Sequence, residues 1–215
     1  STDGMTVVER AALIPATFDK KIVRANFRLG LSYSVTASGK TVPYVMYNGR
    51  GAFDTTTVMA GAAFAVTPGQ WYHLAGVYDG QQLTLYVNGK MASSKASVMT
   101  PATGTDNETT GTSADNREFV RPGSNMVGAR ENPNAADLTA GKDVFGELSS
   151  PLGLAFSTPV SATDFFDGYI DEVRIWNVAR NLSEIQATMR QKLTVRLTAT
   201  STTQLVNYYS FDSCP

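Results

Sequence analysis

The 215 residues contain one cysteine and one histidine. With Cys214 alone, no disulfide forms within the chain; this thiol either pairs outside it or is incidental. With His73 alone, and no Ser nucleophile motif, Cys partner or metal-ligand spacing around it, a structural role for this histidine is expected ahead of a triad or a zinc centre. Charge is scarce too. Charged residues make up 17%, and 18 Lys and Arg face 19 Asp and Glu. A net charge of -1 excludes nucleic acid or an anionic membrane as partners held by bulk charge. No apolar run approaches the ~20 residues that span a bilayer. No leader pattern opens the sequence, and its start at Ser1 reads as a processed form or an excised domain.

What is present is turn chemistry. The stretch 71–90, WYHLAGVYDGQQLTLYVNGK, organises the chain. Asp79-Gly80 and Asn88-Gly89 supply the positive φ of tight hairpin turns. Between them Leu83, Leu85 and Val87 alternate with Gln82, Thr84 and Tyr86. Period two places the first set on a core and the second toward solvent or a second layer. An antiparallel meander is predicted here.

Upstream, residues 5–14 read as a first strand ending before Pro15, and residues 20–24 and 27–34 as a hairpin. Ile22, Val23, Phe27, Leu29 and Leu31 are candidate core residues. Residues 42–47 form a further strand, whose Pro43 places its start near an edge. After the Asn48-Gly49 turn, residues 56–66 return as a strand. Strands every ten residues or so predict a sandwich or jelly roll. Residues 92–124 and 131–150 read as long polar loops. Asn107 and Asn181 fit the N-glycosylation triplet, for which an unmodified loop and a helix cap are the simpler readings. A strand is expected at 125–130, a long one at 164–176, a helix at 183–193 with Ser183 and Gln186 as its capping box, and a last strand at 204–212.

Two blocks, WYHLAGVYDGQQLTLYVNGK at 71–90 and DGYIDEVRIWN at 167–177, resemble the laminin-G-like, concanavalin A-like jelly-roll domains, including the pentraxin branch. The resemblance extends at motif level over about residues 6–191. It implies one all-β domain over 1–215, an antiparallel two-sheet jelly-roll sandwich with one short peripheral helix near the C-terminus. It also implies that Trp71 and Trp176 are core residues and that His73 is scaffold. In the family a strand such as LVNYYSFD opens a domain, whereas here it closes the chain. The strand from Leu205 to Phe211 is therefore expected to complete the sheet, within the molecule first and in a neighbour second.

Three chemistries could use these residues. A glycoside hydrolase needs two carboxylates flanking one bond. The acidic pair Asp171-Glu172 is adjacent on a strand and points to opposite faces, so an enzyme is not expected. A calcium ion, as the resemblance implies, would be held by Glu131, Asn134 and Asp137, with Asp171 as a further ligand. For the loop the alternative is a solvated acidic stretch; for Asp171 it is a carboxylate bonded to Arg174 or to backbone amides. A carbohydrate would use aromatic faces and amide groups, with Tyr47, Asn48 and Asp54 as candidate ligand-binding residues. The expectation is a non-catalytic, extracellular or cell-surface recognition or adhesion module for a glycan or surface glycoprotein, without membrane insertion. A structural subunit that self-associates through Leu205 to Phe211 is the alternative, and a glycoside hydrolase is third.

Overall fold

The computed structural model describes residues 4–17, 20–34, 39–48, 55–97, 121–131, 142–143, 146–147, 162–193 and 204–212. Side chains are described at 4–10, 27–33, 39–47, 56–97, 126–129, 164–193 and 204–212. All strand pairs are antiparallel.

The first layer holds β1 (Gly4–Thr17), β2 (Lys20–Ser34), β3 (Lys40–Asn48) and β4 (Thr55–Met59). With β8 (Arg121–Val127) they form a five-stranded sheet in the order β4-β3-β2-β1-β8. The second layer is the meander of β5 (Leu74–Tyr78), β6 (Gln82–Val87) and β7 (Lys90–Ala96). Three two-stranded pairs complete the description. They are β9 (Arg130–Glu131) with β12 (Ala162–Thr163), β10 (Lys142–Asp143) with β11 (Gly146–Glu147), and β13 (Val173–Trp176) with β14 (Leu205–Tyr209).

The two layers meet as the alternation predicts. Leu83 and Leu85 of β6 pack with Val42, Val45, Val58 and Ala60 of the larger sheet. The ladder aligns Leu29, Val45 and Val58 across β2, β3 and β4, so these three share the inner face. Burying each such side chain contributes about 1.5–3 kcal/mol. At the rim, Thr56 and Ser97 share a buried hydroxyl hydrogen bond of 2.8 Å that ties β4 to the end of β7.

The turns behave as their sequence requires. The Asp79 carboxylate accepts from the backbone N–H groups of Gln81 and Gln82 at 2.8 and 2.7 Å. Those bonds favour the charged form and lower its pKa. Asn88 and Gly89 sit at φ 49 and 68, the two positive values of a tight hairpin turn. Gly89 is also where the helix docks. A Cβ there would stand 2.8 Å from Met189 Sδ, and its carbonyl accepts from Gln186 Nε2 at 2.8 Å.

Several expectations need correction. β1 continues through Pro15, and β2 is one strand rather than a hairpin. β3 is an interior strand, yet its start at Pro43 lies past the last β4 pair, Tyr44↔Met59, and so is at an edge as expected. The proline is tolerated because its nitrogen faces the end of β4, where Ala60 N–H donates to the Pro43 carbonyl at 2.9 Å and no return bond is needed. The strand expected at 56–66 stops at Met59 and gives way to a 3-10 turn, Ala62–Phe64. The 92–124 loop is flanked inward by β7 and β8, which run to Ala96 and begin at Arg121. The long strand at 164–176 is reduced to β13, because Asp164 and Glu172 take positive φ and break the extended backbone. The helix, α1 (Leu182–Thr188), is capped by Asn181 and Glu184, not Ser183 and Gln186. The Asn181 side chain accepts from Glu184 N at 3.0 Å, and Glu184 accepts from Asn181 N at 2.9 Å. Trp71 is 69% exposed rather than core. Trp176 is half-buried under the Arg180 guanidinium, 4.2 Å from its ring centroid. The terminal strand closes on its own molecule, with β14 pairing β13 from Val173↔Tyr209 to Trp176↔Leu205.

Candidate functional site

A strand shows alternate residues to alternate faces, so the ladder that fixes the core also fixes the opposite surface. One step along from Leu29, Val45 and Val58 lie Arg28, Met46 and Thr57 in register. On β1, Glu9 stands opposite Arg28. The next row on the same face is Thr6, Gly30, Tyr44 and Met59. This outer face carries an ion pair between neighbouring strands.

Glu9 is buried, 1% exposed, and its Oε2 accepts from Arg28 Nε. A carboxylate so buried is tolerated when it is paired and hydrogen-bonded. The Arg28 guanidinium also acts on the Tyr44 phenol. Burial pushes that phenol's pKa up, Arg28 pulls it down, and the charges of Glu9 and Asp164 push it up. Asp164 is held close by its own backbone, whose carbonyl accepts from Thr6 N–H at 2.9 Å. Gly30 gives the tyrosine its place. A Cβ there would stand 2.5 Å from the Met5 carbonyl oxygen and 2.9 Å from Tyr44 Cε1. Thr6 Oγ1 is buried without a hydrogen-bond partner.

A second polar group lies under α1. Arg174 Nη1 donates to the Thr188 carbonyl at 2.8 Å, and Nη2 donates to Glu172 Oε2 at 2.6 Å and to the Gln191 carbonyl. Tyr208 donates its hydroxyl to Glu172 at 2.7 Å. These bonds satisfy the helix's last carbonyls and tie β14 to β13, so they serve the scaffold. His73 Nδ1 and Arg174 Nε are buried without hydrogen-bond partners. Burial and then the Arg174 charge lower the His73 pKa, which fits the scaffold role expected of it.

Of the residues expected to bind ligand, Tyr47 lies on the inner face. Its ring stacks on Tyr78 at 4.4 Å, and burial followed by Tyr78 pushes its phenol up to about 12. Asn48 ends β3 with its side chain outside the described set, and Asp54 lies outside the described residues. Of the expected calcium ligands, Glu131 ends β9, while Asn134 and Asp137 lie outside the described residues. Asp171 is exposed, and its Oδ1 accepts from Glu172 N at 2.9 Å. That is the backbone-bonded alternative, and it is Glu172 that takes Arg174. Among the described residues no three His, Cys, Asp or Glu converge as a metal would require. The structure brings together Glu9, Arg28 and Tyr44 instead. The sequence does not single them out, because β1 also carries Arg10 and β2 also carries Lys20, Lys21 and Arg24.

Among the described residues no helix is long and apolar enough to cross a membrane. No curated protein matches the chain. Among solved structures, an S-layer domain-containing protein of Clostridium thermocellum (residues 221–444) is similar at 19% identity, over 80% of this chain and 57% of that one, with a TM-score of 0.34. A "putative carbohydrate binding protein" of Bacteroides ovatus is similar at 14% identity, over 94% of this chain and 44% of that one, with a TM-score of 0.43. The chain thus spans about half the length of these structures. A laminin-G profile of the concanavalin A-like lectin/glucanases superfamily matches residues 13–122, just over half of the chain. That match covers β2 to β7 in full, with both layers of the core, and the chain belongs to the concanavalin A-like lectin/glucanases superfamily.

Proposed function

We propose that the chain is a non-catalytic carbohydrate-recognition module, whose ligand lies on the outer face of the five-stranded sheet. The observation that carries this reading is the Glu9–Arg28–Tyr44 group, an ion pair and a phenol held on the face that the core does not use. Arg28 donates in a fixed plane, and Tyr44 offers an apolar ring with a polar tip. Sugars are bound by that combination of hydrogen bonds and apolar contact. Binding rather than hydrolysis is supported, among the described residues, by the state of Glu9, Glu172 and Asp171. Glu9 is tied to Arg28, Glu172 to Arg174 and Tyr208, and Asp171 to a backbone amide. A hydrolase needs one of two facing carboxyls free to protonate the leaving oxygen.

The test is isothermal titration against soluble β-glucan, xylan and amylose, with reducing-sugar release followed in parallel. Binding that is lost in Tyr44→Phe and Arg28→Met, without sugar release, supports the reading. Turnover, or no binding to any of a broad glycan panel, overturns it.

An extracellular or cell-surface setting is part of the same proposal. So is a calcium ion at the loop that begins with Glu131. A melting temperature unchanged between excess calcium and chelator removes the calcium assignment. Self-association through Leu205 to Phe211 is a second reading, favoured by the exposure of Val206 and Phe211. Sedimentation independent of concentration would dismiss it.

A further inference from the structure

We infer that His73 is an acid-sensitive latch at the joint between the meander and a C-terminal unit made of β13, α1 and β14. The joint is a short relay of contacts. His73 N–H donates to Asn88 Oδ1 at 2.8 Å, and Asn88 N–H donates back to the His73 carbonyl at 2.8 Å. The next residue, Gly89, accepts from Gln186 of α1 and lies against Met189. The carbonyl of Thr188, beside Met189, is held by Arg174 of β13. His73 therefore sits beneath the point where the unit docks. The unit is fastened by bonds of its own. Arg174 ties β13 to the end of α1, Tyr208 of β14 donates to Glu172, and Lys192 beyond α1 pairs with Asp212 beyond β14. It can leave the meander as one piece.

The docked state suits a neutral ring and not its cation. In the imidazolium both ring nitrogens are donors. Nδ1 is buried with no acceptor, and Arg174 Nε is buried with none either. The Arg174 charge acts on the ring, and a second cation buried beside it is costly. Glu172, the carboxylate bonded to Arg174, is already shared with Tyr208. Lys90 beside the turn and Arg190 and Lys192 beyond α1 are exposed, and Glu184 is paired with Arg180 at the other end of the helix. None of these supplies a counter-charge to the ring. Burial and then Arg174 hold the docked ring's pKa below its ordinary value, whereas an undocked ring is hydrated and takes its proton near the ordinary value of about 6.5. Acid therefore favours the undocked form.

Native-state hydrogen exchange of the full chain, measured against urea at pH 7.5 and 5.5 and corrected for intrinsic exchange, tests this. Amides of β13, α1 and β14 are expected to open with a smaller urea slope than those of β3 and β6. At pH 5.5 that opening should become about tenfold more frequent, the limit for a group that titrates near 6.5 when free and not at all when docked. In His73→Gln the increase should vanish. Unit amides that open only together with β3 and β6, at the full slope, overturn the inference, and so does an increase that survives His73→Gln. Should that variant not fold, the ring resonance of the sole histidine decides in the unchanged protein. A midpoint below the ordinary value is expected, and an ordinary midpoint overturns the latch.

Discussion

Glu9 on β1 and Arg28 on β2 are cross-strand partners, and their ion pair lies on the face of the sheet turned away from the core. Breaking a buried pair by removing one partner costs about 3–5 kcal/mol, because the other charge is left uncompensated. Glu9→Gln is expected to lower the urea midpoint by an amount in that range, and Arg28→Met likewise. Replacing both, as Glu9→Leu with Arg28→Met, should restore most of the stability, since the desolvation cost goes with the charges. The double variant should nonetheless fail to bind glycan. A double variant that binds as the unchanged protein does would show that the pair serves folding alone.

Gly30 is constrained by contact rather than by φ. Its missing Cβ is what allows Tyr44 to lie against β2. Gly30→Ala places a methyl group against the Met5 carbonyl and the tyrosine ring, and is expected to cost about 1–3 kcal/mol by overpacking. Tyrosine fluorescence should shift as the ring is displaced. A variant with unchanged stability and unchanged binding would mean that the sheet relaxes around the added methyl.

His73 sets a pH dependence. Its pKa is lowered in the folded state, so the unfolded chain binds the proton more readily. Stability is therefore fully present above the ordinary histidine value of about 6.5, and is lost as pH falls from there toward the folded pKa. Melting temperatures at pH 7.5 and 5.5 should differ, and His73→Gln should shrink the difference. As the sole histidine, His73 makes the assignment unambiguous. Equal pH slopes in both proteins would put the effect on carboxylates.

Arg174 holds the end of α1. Arg174→Lys keeps a charge but cannot reach Thr188, Gln191 and Glu172 at once. A loss of about 1–3 kcal/mol is expected, with faster amide exchange in residues 188–191 and in β14. Exchange that speeds up evenly over the whole chain would show instead that the C-terminal unit is not a separate cooperative element.

The candidate face was half visible in the sequence. Alternation in 82–87 was enough to assign Leu83, Leu85 and Val87 to the core, because period two depends on the strand alone. Glu9 and Arg28 are 19 positions apart, and no local pattern says that they meet. Their pairing depends on the register of β1 against β2, which bulges after Thr6 and after Arg10 shift. Tyr44 and Tyr47 both lie on β3, and the sequence does not say which of them faces outward. Three residues apart on a strand, they face opposite sides, and which side holds the core is set by the second layer.

The sequence by itself determined the class of fold, the hairpin turns and the meander, because Asp-Gly, Asn-Gly and period-two alternation act within a few residues. It also determined that a helix would follow the last long strand, though not which residues would cap it. The tertiary structure decided that Trp71 is exposed and that β14 closes on β13. It decided the site as well. A site on a sheet face is assembled from residues far apart in sequence, and only strand register and the choice of buried face bring them together.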